Sequence, residues 1–124
     1  MRRTSLSEHS EQSLVVRQLA ECGVLYASIP NDGARTAAAA RSAKQRGLVA
    51  GAPDLLVFTV PPAAPQYRGV ALEFKKASGG HEDPKQVRFL ARLREEGWLA
   101  EFVHGAPEAL RLLHSLGYPV GVIV

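Results

Sequence analysis

Gly51-Ala52-Pro53-Asp54-Leu55-Leu56-Val57-Phe58-Thr59-Val60 and, after a proline-rich break, Gly69-Val70-Ala71-Leu72-Glu73-Phe74-Lys75-Lys76 are the stretches that decide the fold. Each is short, apolar and bounded by glycine or proline, which is how a buried strand reads. Pro61-Pro62-Ala63-Ala64-Pro65 lies between them. Prolines cannot donate to a sheet ladder, so this segment is predicted as a loop. The flanking strands, over 54–60 and 69–76, are expected to pair as an antiparallel hairpin.

Working outward, Ser7 is a good N-cap for a helix running to Cys22 and stopped by Gly23. Val24–Ile29 reads as a strand closed by Pro30-Asn31-Asp32-Gly33. The alanine-rich run Ala34–Arg46 reads as a helix ended by Gly47. Asp83 with Pro84 starts another helix, to Glu96, before Gly97. Trp98–His104 is the next predicted strand and Ala106–Leu116 the last helix. The apolar tail Tyr118–Val124 is a further strand candidate, expected to pack on the core or in a dimer interface because exposed it would be a liability. The order α-β-α-β-β-α-β-α predicts one α/β domain over residues 1–124, its core about 7–116, with a small mixed sheet flanked by helices.

Strand side chains alternate between faces, so Glu73 and Lys75 share one face while Phe74 and Lys76 share the other. Hairpin pairing brings Asp54 toward Glu73. Two carboxylates brought together repel unless a positive group joins them. A hard divalent cation with oxygen ligands, Mg²⁺ above all, is the natural partner. It would bind a phosphate oxygen and acidify a water, with Lys75 beside that water offsetting phosphate charge. The plainer reading of the same residues is a strand-end turn and a surface ion pair.

Two helices bear on that choice. Glu8, Gln12, Val15, Leu19 and Cys22 fall on one stripe of the first helix, where a carboxylate needs a partner. Glu8 is therefore the candidate acid, or else a first-turn residue favouring the helix dipole; Glu11, at the stripe's edge, is the reserve. Gln86 shares a face with Phe89, Leu90 and Leu93 and must bond either to Lys75 and a hydrated ion or to nearby backbone. The glycines at 47 and 51 bracket the loop before Asp54, for close approach to DNA or for a tight turn.

The net charge is +3, from 15 basic and 12 acidic residues. Within 34–50, Arg35, Arg41, Lys44 and Arg46 stand without an acid, a stretch that either tracks a phosphate backbone or forms a solvated helix face. One cysteine excludes an internal disulfide and suits a reducing, cytoplasmic compartment. The four histidines share no ligand spacing. No apolar run is long enough to span a membrane.

Together these residues resemble the VRR-NUC (virus-type replication-repair nuclease) family of the PD-(D/E)XK nucleases. The resemblance is carried by Glu8 with Gln12, Pro30-Asn31-Asp32-Gly33 with Arg35, Gly51-Ala52-Pro53-Asp54-Leu55, Leu72-Glu73-Phe74-Lys75, Gln86 and Gly97. It implies a restriction-endonuclease-like fold and Mg²⁺- or Mn²⁺-dependent hydrolysis of DNA. It implies a metal held by Asp54, Glu73 and the Phe74 backbone carbonyl, with Glu8 joining through water. It also implies catalytic roles for Lys75 and Gln86, and DNA contacts at Asn31, Gly33 and Arg35, to which the basic Arg41, Lys44 and Lys76 are added. Short family members resemble phage proteins that dimerise and resolve four-way (Holliday) junctions, so a homodimer acting on branched DNA is expected; a flap- or nick-directed nuclease and a catalytically degenerate DNA-binding module are the alternatives. The proline-rich loop and the apolar tail depart from the family pattern.

Overall fold

The computed structural model describes residues 7–30, 36–76 and 81–122. Its elements follow the predicted order: α1 (Glu8–Glu21), β1 (Tyr26–Ser28), α2 (Ala37–Gln45), β2 (Leu55–Val57), β3 (Val70–Lys75), α3 (Pro84–Glu95), β4 (Leu99–His104) and α4 (Ala106–Ser115). Side chains cap three of the helices. Ser7 accepts the Ser10 N–H, Thr36 that of Ala39 and Asp83 that of Lys85, which gives donors at the helix starts the partners they otherwise lack. α4 starts instead at Gly105, which has no side chain to offer. Its cap comes from across the molecule: the Ala106 N–H donates to the Glu11 carboxylate of α1.

The sheet has the order β1-β2-β3-β4. β1 and β3 flank β2 antiparallel, with Leu55 opposite Leu72, and β3 pairs parallel with β4 through the α3 crossover. All six residues of β3 are buried, because both faces of this strand are covered. Val70, Leu72 and Phe74 join Val15, Leu19, Leu110 and Leu113 in the larger core under α1 and α4. Ala71 packs with Leu90, Leu93 and Phe102 in the smaller core under α3. Glu73 and Lys75 therefore lie on the α3 face of the sheet, by the two-residue alternation of a strand.

The strands are shorter than predicted at both the first and second positions. The reading Val24–Ile29 contracts to Tyr26–Ser28, and 54–60 to Leu55–Val57; just past β2 the Phe58 N–H still donates to the Leu25 carbonyl, and the Leu25 N–H donates to the Thr59 hydroxyl in place of a regular ladder bond. The tail is not a strand over its described part. Tyr118 and Val120 are buried in the main core, and the Tyr118 hydroxyl donates to the Thr59 carbonyl at 2.5 Å. The two departures from the family pattern meet here. Ala63 of the proline-rich loop donates its N–H to the Leu116 carbonyl at 2.8 Å, so loop and tail seal the same end of the core. Residues 123 and 124 lie outside the described residues.

Candidate active site

Asp54 stands immediately before β2, held from three sides. Its carbonyl accepts the Ile29 N–H at 2.9 Å and the Gln12 side-chain amide at 3.5 Å. Its N–H donates to Glu73 Oε2 at 3.0 Å, and its own Oδ2 accepts the Phe74 N–H at 2.8 Å. This reciprocal exchange extends the β2–β3 pairing by one step, with side chains in place of ladder bonds. It binds the two acids into one unit.

Glu73 and Lys75 are 3% and 7% exposed. Burial, then the neighbouring Asp54 charge, pushes the Glu73 carboxyl up to about 8, against the opposing pull of Lys75 and the Asp54 N–H. Gln86 of α3 joins the pair: Lys75 Nζ donates to its Oε1 at 2.6 Å, and its Nε2 donates to Glu73 Oε1. Of the partners open to Gln86, Lys75 with a hydrated ion or nearby backbone, the structure shows Lys75 and adds Glu73. The Lys75 ammonium also sits 5.5 Å from the centre of the Phe102 ring, an attractive cation–π distance.

The cluster opens on a cleft of about 990 Å³ whose walls include Glu8, Gln12, Asp54, Glu73, Lys85 and Gln86. Glu8 thus faces the same space as the two strand acids. Glu11 does not. It is fully buried and serves as the cap of α4, so the buried stripe of α1 is Glu11, Val15 and Leu19 rather than one that includes Glu8. Gly51 also lines the cleft, in a left-handed conformation (φ +90°) with its Cα pressed on the start of α3. A Cβ there would lie 2.5 Å from the Lys85 carbonyl oxygen. The glycine permits close approach, but to the turn that carries Gln86.

Among the described residues, no three His, Cys, Asp or Glu side chains form a metal-holding group; the cluster supplies two carboxylates, not a closed cage. Arg41, Lys44 and Lys76 are exposed. Asn31, Gly33 and Arg35 lie outside the described residues. Gln12 as a tether of Asp54 and Gly51 as a spacer against α3 were within the quoted motifs, but only the fold gives them these jobs.

The sequence matches no protein-family model and no curated protein. A solved structure of a VRR_NUC domain protein superposes with a TM-score of 0.72 over 97% of this chain and 94% of that one, at 22% identity. This is the VRR-NUC fold. The four-stranded sheet with helices on both faces agrees with the expected architecture. The VRR-NUC fold brings Asp54, Glu73, Lys75 and Gln86 to one end of that sheet, beside Glu8.

Proposed function

We propose that the protein is a divalent-metal-dependent endonuclease that hydrolyses phosphodiester bonds in branched DNA. One observation carries the reading: two acids, one just before β2 and one on β3, share backbone hydrogen bonds inside a cleft, with an ammonium and a carboxamide bonded into the same cluster. The shared VRR-NUC fold supports it. An ion-pair network would satisfy Glu73 with Lys75 alone and needs no second acid. Here Asp54 raises the cost of charging Glu73, an arrangement suited to a site that acquires positive charge.

The donors fit Mg²⁺ or Mn²⁺. They are oxygens only, and an ion of this kind keeps several waters and takes few protein carboxylates. Asp54, Glu73 and the Phe74 carbonyl would hold it, with Glu8 reaching it through water. When bound, it would polarise a phosphoryl oxygen and acidify a water. Lys75 then orients the attacking water and offsets charge on the phosphate. Gln86 fixes the Lys75 ammonium in place. Arg41, Lys44 and Lys76, with Asn31, Gly33 and Arg35, contact the DNA backbone. A homodimer would cover the exposed Leu25, Phe58 and Val60.

The test is a cleavage panel of labelled four-way junction, flap, splayed-arm and duplex DNA with Mg²⁺, Mn²⁺ or EDTA. Metal-dependent cutting of branched DNA, lost in Asp54→Asn and Lys75→Ala variants that remain folded, is expected. Full cutting by Glu73→Ala would overturn the mechanism. Salt-sensitive binding without cutting under any metal would favour the degenerate DNA-binding module.

A further inference from the structure

The cleft does not end at the acids. It continues between α1 and the edge strand β1, where Ser13, Val16, Arg17, Tyr26 and Ser28 line it. Two contacts fix its direction. Gln12 of α1 and Ile29, just past β1, both donate to the Asp54 carbonyl. A tight turn joins α1 to β1, and the two elements run in opposite senses along the cleft. Moving forward from Gln12 and backward from Ile29 therefore leads the same way. Arg17 is five residues beyond Gln12, about 7.5 Å at 1.5 Å per helical residue. Tyr26 is three residues before Ile29, about 10 Å along a strand. Both residues therefore line the cleft on the same side of Asp54.

Their chemistry is complementary. Arg17 is exposed and, among the described residues, makes no ion pair. Tyr26 is half-buried, packed on the main core on one side and bordering the cleft on the other. A free guanidinium and a ring fixed by packing, both lining one cleft, suit a phosphate with its attached nucleoside. A strand whose scissile phosphate lies at the acids would bring a flanking phosphate toward Arg17.

We propose that Arg17 and Tyr26 form a nucleotide subsite that holds the DNA strand next to the scissile phosphate, the guanidinium on a flanking phosphate and the ring against its nucleoside. This rests on the nuclease reading of the acid cluster. The test pairs binding with hydrolysis. Binding of a fluorescein-labelled splayed-arm DNA, followed by anisotropy across a salt series, should weaken in Arg17→Gln with a log–log salt slope smaller by about one. Tyr26→Ala should lose about ten-fold in affinity while Tyr26→Phe keeps it. Hydrolysis of bis(p-nitrophenyl) phosphate, which carries no flanking phosphate for the guanidinium to hold, should be unchanged in Arg17→Gln while DNA cleavage falls. Unaltered affinity and slope in Arg17→Gln overturn the subsite, as does an equal loss on both substrates. Tighter Arg17-dependent binding of the matching RNA overturns the assignment to DNA. A wild-type protein that cleaves nothing, yet loses DNA affinity on Arg17→Gln, refutes the nuclease reading and retains the subsite.

Discussion

Replacing Glu73 by glutamine should remove a pH dependence from the stability of the metal-free protein. Glu73 is almost fully buried, and burial together with Asp54 moves its carboxyl from the ordinary 4.5 to about 8. The folded state therefore holds this proton more tightly than the unfolded chain does. The stability linked to it is fully present below pH 4.5 and is lost as the pH rises toward 8. At about 1.4 kcal/mol per pH unit, the full span is on the order of 5 kcal/mol. For a domain of this size that corresponds to a fall of roughly 10 °C or more in Tm. The assay is thermal unfolding in EDTA from pH 5 to pH 9, read as wild type minus Glu73→Gln so that other carboxylates cancel. The difference should shift steadily in favour of the variant with rising pH, leaving Glu73→Gln the more stable protein at the alkaline end. Added Mg²⁺ should reverse that order for the wild type alone. Parallel profiles for the two proteins would refute the electrostatic reasoning, because an acid that ionises freely in the fold gives no such difference.

Two further substitutions probe the scaffold. Glu11→Ala removes the cap that α1 supplies to α4 and leaves the Ala106 N–H buried without it, so urea unfolding should report a loss of about 2–4 kcal/mol. Gly51→Ala places a methyl against the Lys85 carbonyl in a left-handed conformation; it should cost about 1–3 kcal/mol, and because that turn carries Gln86, kcat should fall further than the stability loss alone accounts for.

Much of the fold was legible because its signals are local. Ser7, the Asp83-Pro84 pair and the glycines after α1, α2 and α3 act within one helical turn, and they mark the ends of those helices to within a residue or two. The cluster was legible for a related reason: hairpin pairing and two-residue alternation suffice to bring Asp54 to Glu73 and set Lys75 on the same face. What the sequence leaves open is long-range. Glu8 and Glu11 both lie near the apolar stripe of α1, and what separates them is the bare N-terminus of α4 at Gly105, which draws Glu11 into the core. The tail read as strand because it is apolar, but Pro119 has no N–H to pair, and Tyr118 and Val120 fill the core instead. Arg17 and Tyr26 line one cleft because α1 and β1 run in opposite senses past Asp54, a fact of topology invisible in their spacing.

Asp54 and Glu73 are, on the function proposed above, held together to receive a divalent ion. Calorimetric titration of Mn²⁺ into the folded wild type, Asp54→Asn and Glu73→Gln proteins tests it most directly. Saturable uptake by the wild type, with proton release, and its loss in both variants is the predicted result. No uptake by the wild type, with or without oligonucleotide, or undiminished uptake by both variants, would contradict it.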